Sequence, residues 1–200
     1  MALERENPLF DPSRDVVTDA ADLQALSHPL RIRLLGQLRQ DGPSTASKLA
    51  ETLKISSGLS SYHLRQLAAA GFIVEADQAG SGRERWWQAA RRSTYVLSPQ
   101  TGDPDAEVLT TEYLQAVLEV NFQNARDFFA EEGAWPREWQ EASGISDMML
   151  QLTAEDAQRL SHELADVVAR YPRHEAGAPL PEGAKIVQAQ YQVFPSAGQQ

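Results

Sequence analysis

The chain has no cysteine, and its four histidines stand at positions 28, 63, 162 and 174. Without thiols there is no disulfide framework, thiolate metal site or cysteine nucleophile. His162 and Asp166 form an i, i+4 pair that could hold zinc, but on an acidic surface helix such pairs are usually solvated. His174 lies twelve residues beyond His162 and does not share its turn. There is no glycine-rich phosphate loop or nucleophile elbow, and no paired carboxylates sit in an apolar pattern. His162 and Glu163 could be drawn as a base and its orienter, yet adjacent helical residues point about 100° apart. Neither an enzyme nor a metal or other cofactor is expected.

The remaining chemistry is basic and polar, and it is concentrated in residues 44–76, STASKLAETLKISSGLSSYHLRQLAAAGFIVEA. A short amphipathic helix with Ala46, Leu49, Ala50 and Leu53 on one face is followed by a polar turn at 54–57. A second helix then runs over 57–70 and ends at Gly71, the residue expected where a chain leaves a helix in the left-handed conformation. With Leu64 at the centre of its buried face, Ser60, Leu67 and Gly71 fall beside it. The opposite face carries Gly58, Leu59, Tyr62, Arg65 and Gln66, with Ser61 at its edge, a surface suited to a DNA major groove. Ser57, at the start of the helix, joins that face. His63 lies about 70° from the buried centre, which predicts a partly buried, hydrogen-bonded ring and, second, a phosphate contact. A surface helical hairpin of an all-α domain is the plainer reading of the same pattern.

The next stretch argues against that plainer reading. Residues 72–76 read as a strand, 78–82 as a Gly/Ser-rich tip and 83–89 as the return strand. Arg83 and Arg85 stand where a basic wing would reach a phosphate or the minor groove. These pieces, together with LSHPLR at 26–31, SYHLRQL at 61–67 and GFI at 71–73, make residues 20–97 resemble the winged helix-turn-helix domain of ArsR-type bacterial repressors. The resemblance implies a transcriptional regulator in the cytoplasm of a bacterium, binding double-stranded DNA. It also raises metal sensing. However, the helix at 44–53, where the family's best-known thiolate site lies, has no thiol or imidazole.

Charge follows the same division. The whole chain carries −10, which is unusual for a nucleic-acid binder. Residues 23–97, however, hold ten basic and five acidic side chains, against six and seventeen in residues 98–200. A basic patch confined to the winged segment is the expected footprint of a local nucleic-acid surface, and the acidic remainder is repelled by phosphate. A protein-interaction module that keeps the winged scaffold without binding DNA is the alternative that overall acidity and a single arginine on the reading helix support.

The surrounding elements predict a mainly α fold with a small β component, α+β. Residues 1–18 read as an arm, disordered or crossing an interface, and 19–97 as the DNA-binding domain. The domain should open with a helix over 19–27, broken at His28-Pro29, and a second helix over 30–40 that buries Ile32, Leu34, Leu35 and Leu38. Residues 91–97 read as a short strand or exit, and 98–105 as a linker.

Residues 98–195 read as a region for dimerisation, with room for a small-molecule effector. One helix is predicted over 104–132, capped by Asp103, with two apolar stripes: Leu114, Leu118, Ala125 and Phe129, and beside them Tyr113, Val117, Val120, Asn124 and Phe128. Two stripes require two packing partners. A homodimer interface is therefore expected at Leu114, Leu118, Phe122 and Phe129, with Leu23 from the early helix. Trp135 and Trp139 are core or interface plugs, or alternatively the wall of an effector pocket.

Thr153 should cap a helix that buries Leu160, Leu164, Val167, Val168 and Tyr171. Residues 145–152 read as a weak strand and 184–194 as a strong one, pairing with 148–152 or 94–97. The tail over 196–200 is expected to be disordered. No run is long and apolar enough to span a membrane, and no signal pattern opens the chain.

Overall fold

The computed structural model describes residues 7–18, 20–77, 84–96, 103–196 and 198. In chain order the elements are β1 (Asp15–Thr18), α1 (Ala20–Leu23), α2 (Pro29–Asp41), β2 (Ser44–Thr45), α3 (Ala46–Thr52), α4 (Ser57–Ala69), β3 (Ile73–Glu75), β4 (Trp86–Ala89), β5 (Ser93–Val96) and α5 (Pro104–Ala130). A turn of 3-10 helix at Glu132–Ala134, α6 (Arg137–Ala142) and α7 (Ala154–Ala169) follow. The chain forms two compact units. One comprises Phe10–Val120 and Arg173–Val187, the other Met1–Leu9, Asn121–Pro172 and Gln188–Gln200. The fold is mainly α with small sheets: an α+β winged helix-turn-helix followed by a long helix.

The winged unit is built on an aliphatic core. Leu34, Leu35 and Leu38 from α2, Leu49 from α3, and Leu64 and Leu67 from α4 meet Leu26, Phe72, Ile73 and Trp87, all buried. Sequence decides where each helix starts and stops. Pro29 occupies the first turn of α2, where its missing N–H is not needed, and His28 accepts the Leu30 N–H. Thr45 caps α3 and Ser56 caps α4, accepting from Lys48 and Leu59.

The turn between α3 and α4 reverses the chain through Lys54, at φ 55°, while the Ile55 N–H reaches the Ala50 carbonyl at 2.9 Å. The same closure ends α4. Gly71 sits at φ 75°, its N–H bonds to Ala68, and the Phe72 N–H bonds to Leu67 at 3.0 Å. This paired arrangement ties off the last carbonyls while Phe72 and Leu67 share the core. Gly71 is itself exposed, so its position follows from backbone conformation and not from the inward face expected of it.

One sheet has the order β2-β4-β3, all antiparallel, with Ser44 opposite Trp87 and Ile73 opposite Ala89. The expected tip at 78–82, Arg83 of the return strand, residue 97 and the first part of the expected linker, 98–102, lie outside the described residues. A second sheet corrects the expectation of a loose N-terminal arm: β1 pairs in parallel with β5, Asp15 opposite Ser93 and Thr18 opposite Val96. Asp15 is buried there and takes two hydrogen bonds from Arg92. The early helix is also shorter than its apolar period implies, because residues 24–28 are turns and bends.

The long helix forms as expected, with Asp103 accepting the Asp105 N–H at 3.1 Å. Its buried face is Ala106, Thr110, Ala116 and Val120, and Tyr113 packs against the aliphatic core. In the second unit Phe128 meets Phe129 and Trp135 at ring centroid distances of 5.0 and 5.7 Å. Thr153 and Asp156 form the reciprocal capping box of α7. Ala165 is buried on that helix, whereas Val167 and Tyr171, expected inside, are exposed.

The two strands expected in the C-terminal region do not form. Residues 145–152 and 184–194 carry no strand pairing, and Met148, Met149, Val187 and Phe194 are exposed. Alternation sets only which side chains share a face; a ladder also needs an edge. The pairing partner of β5 is β1, from the N-terminal segment, and not the 184–194 stretch expected to pair with 148–152 or 94–97.

Candidate nucleic-acid interface

Three elements assemble the candidate surface. The core anchors α4 through Ser60, Leu64 and Leu67, which are all 0% exposed. That anchoring leaves Gly58, Leu59, Tyr62, Arg65 and Gln66 outward, with Ser57 exposed at the first turn and Ser61 half-buried at the edge. Leu59 and Tyr62 are 42% and 52% exposed, so an aliphatic and an aromatic side chain stand on this otherwise polar helix face. Arg65 lies along its own helix, its Nε donating to the Ser61 carbonyl at 3.1 Å, and no carboxylate among the described residues pairs with it.

The wing frames this face. Ser47 on α3 donates to Glu84 at 2.8 Å, and the Lys48 ammonium lies 4.4 Å from the Trp86 ring centroid. These contacts tie the first helix of the turn motif to β4. Arg85, expected to face phosphate, pairs with Glu75 across the hairpin at 2.8 Å and lies over Trp87. Both partners remain well exposed, so the pair is a weak surface bridge that a phosphate could replace. Arg83 lies outside the described residues. Lys48 was not singled out in the sequence. The available signal was a lone lysine on the outer face of the first turn-motif helix, which becomes informative only once β4 is seen beside it.

Two expected site residues are corrected. His63 points inward and is 4% exposed, so it does not belong to the groove-facing set. The 70° offset predicted partial burial, but the His28 ring, 4.5 Å away, covers the remaining side. Leu23, expected at a dimer interface, is 0% exposed within the winged unit and offers no free surface. The short α1 turns its leucine into the core instead of presenting an apolar face. By contrast Leu114, Leu118 and Phe122 of α5 are 43%, 48% and 65% exposed, on the side away from the buried stripe. Phe129 is half-buried against Phe128. Trp135 and Trp139 are also half-buried; the Trp135 carbonyl accepts from Gln140 and the Trp139 carbonyl from Ser143.

Burial also shapes the electrostatics behind the surface. It draws the Arg39 guanidinium down to about 10, while its Nε and Nη2 donate to the Arg91 carbonyl and Thr94 Oγ1. Arg39 therefore links α2 to β5 and is turned away from solvent chemistry. Among the described residues no three or more histidine or acidic side chains cluster to hold a metal, and no helix is long and apolar enough to cross a membrane.

No curated protein sequence matches the chain. Among solved structures, a doubly substituted variant of Lactococcus lactis ZitR in its apo form is similar at 17% identity, over 76% of this chain and 85% of that one, with a TM-score of 0.27. Residues 26–76, which span α2 to the end of β3, match the family model described as a helix-turn-helix domain. Over residues 26–76 the chain is thus similar to helix-turn-helix domains, in the segment whose geometry leaves one face of α4 bare.

Proposed function

We propose that the protein is a dimeric bacterial repressor of the ArsR type, acting in the cytoplasm on a palindromic operator. In this reading residues 19–97 are the DNA-binding domain and 98–195 the region for dimerisation and effector response. Helix α4 enters the major groove, presenting Ser57, Leu59, Ser61, Tyr62 and Arg65 to base edges and flanking phosphates. The basic wing, through Arg83 and Arg85, holds the backbone.

The observation that carries the reading is the division of α4 into a fully buried Ser60–Leu64–Leu67 side and an exposed Leu59–Tyr62–Arg65 side, set beside a two-stranded wing. A helix held rigidly along one side and bare along the other is what groove insertion requires.

Dimerisation follows from specificity. One such helix makes few base contacts, and a two-fold pair presents two. The exposed Leu114, Leu118 and Phe122 stripe supplies the surface for it, with Phe129 at its end. Trp135 and Trp139 are the residues through which a small-molecule effector would act. Selection from a random duplex pool tests the proposal. It should enrich an inverted repeat with half-sites about one helical turn, or a multiple, apart. Enrichment of a single asymmetric site would contradict the dimer, and no enrichment would contradict DNA reading.

A further inference from the structure

The winged unit holds a histidine pair that neither the core nor the groove-facing surface uses. His63 follows Tyr62 on α4, and its ring centroid lies 4.5 Å from that of His28 and 5.1 Å from that of Tyr62. It is 4% exposed, and its Nδ1 has no hydrogen-bond partner among the described residues. His28 caps α2 through its own Nδ1, which accepts the Leu30 N–H at 3.1 Å. That nitrogen is therefore unprotonated, and a second proton on the His28 ring would break the cap. Arg31, in the first turn of α2, flanks the pair; its Nη2 donates to the Gln24 carbonyl at 2.9 Å, and its buried Nε has no partner among the described residues. The titratable and charged groups facing His63 are thus His28 and Arg31 from α2 and Tyr62 from its own helix, with no carboxylate among them.

Nothing in this arrangement welcomes a proton. Burial, then His28, then Arg31 hold the His63 imidazole below the usual histidine range. A cation formed there would be buried beside a guanidinium with no acceptor for its second N–H.

We propose that His28 and His63 form a proton-sensitive latch between the start of α2 and the back of α4, closed while both rings are neutral and loosened by acidification. Its functional consequence rests on the reading of α4 as the DNA-contacting helix, because Tyr62 is carried on the same turn as His63. Below the usual imidazole pKa of about 6.5, the loosened state takes up a proton that the closed state refuses, so closure weakens as pH falls. DNA affinity then falls on acidification. A histidine facing phosphate would have the opposite effect, since its protonation strengthens binding.

Fluorescence anisotropy on the full chain, with a random-sequence duplex at low salt, tests this at about pH 7.5 and about pH 5.5. Wild type should bind several-fold more weakly at the lower pH. His63→Gln, neutral at both pH values, should lose most of that difference, with circular dichroism establishing that it folds. An NMR titration of the wild-type His63 imidazole tests the latch without any variant, and should show it titrating below the usual histidine value. Stronger binding at the lower pH, equal pH dependence in wild type and folded His63→Gln, or ordinary titration of His63 would each overturn the latch. Absence of binding at the higher pH would overturn the DNA reading instead, and the NMR titration would still decide the latch.

Discussion

Arg92 closes on Asp15 with two hydrogen bonds, Nε to Oδ1 and Nη2 to Oδ2, each 3.1 Å long. The Asp15 side chain is 0% exposed, and its Oδ2 also accepts the Asp11 N–H and lies 3.5 Å from Arg173. Burial alone would push this carboxyl up. The Arg92 hydrogen bond, the Asp11 N–H and the two guanidinium charges outweigh that and hold it below the usual aspartate range. This cluster fastens the segment before the helices of the turn motif to the strand that follows the wing.

Replacing Asp15 with alanine removes both hydrogen bonds of Arg92 but leaves it near Asp11 and Glu175, and should destabilise the winged unit by about 1.5–3 kcal/mol. The pH dependence has a fixed sign. Because the folded pKa is depressed, the stabilisation is complete above the ordinary aspartate value of about 3.9 and is lost as pH falls through the lower folded value. Urea unfolding of wild type and variant at neutral and acid pH measures both effects. A loss below about 1 kcal/mol, the level of a surface pair, would mean that the cluster does not hold β1 in place.

Gly71 provides a second stability test. No atom lies within 4 Å of a Cβ built there, so an alanine meets open space, but φ 75° strains any L side chain. Gly71→Ala should therefore destabilise by about 1 kcal/mol through backbone conformation alone. Thermal unfolding checks this, and an unchanged or raised Tm would show that the closure of α4 tolerates a different backbone.

The helix-turn-helix was legible in the sequence because its signals are local. Proline at 29, the cap residues Thr45 and Ser56, the glycine at 71 and the 3.6-residue spacing of Leu64 and Leu67 each act within one helical turn. The long helix was legible for the same reason, from Asp103 and a sustained apolar period. What the sequence reading missed depends on partners far apart in the chain. The alternation over 187–193 suits a strand, but alternation does not name a partner, and the strand that pairs with β5 is β1, from the other end of the chain. His63 lies near the border between faces, and the His28 ring, brought in from the start of α2, packs against it at 4.5 Å. Leu23 had the composition of an interface residue, and the break of α1 after four residues sent it into the core.

The wing and the helix should divide the work. Replacing Arg83 and Arg85 together by alanine should weaken binding to all sequences alike and reduce the salt slope by about two charges, since phosphate contacts act through counterion release. Affinity measured over a range of salt concentrations shows this. An altered preference among operators with the salt slope unchanged would assign base reading to the wing.

Leu118, 48% exposed on α5, tests the dimer. A second copy covering the Leu114, Leu118 and Phe122 stripe should be lost in Leu118→Glu, because burying a carboxylate without a partner is unfavourable by several kcal/mol. Light scattering at micromolar concentration should give twice the 22.1 kDa chain mass for wild type and one chain for the variant. A wild-type mass of one chain would remove the basis of the dimer.

DNA reading by α4 is tested most directly by anisotropy of wild type and Arg65→Ala against a duplex chosen by selection and against random sequence, at low salt. Wild type should bind both and prefer the selected site. Arg65→Ala should lose roughly 1–3 kcal/mol on the selected site and relax the preference at the contacted position. Unchanged affinity and preference in Arg65→Ala would remove that arginine from the reading surface, and no binding of either duplex by wild type, even at low salt, would contradict DNA recognition altogether.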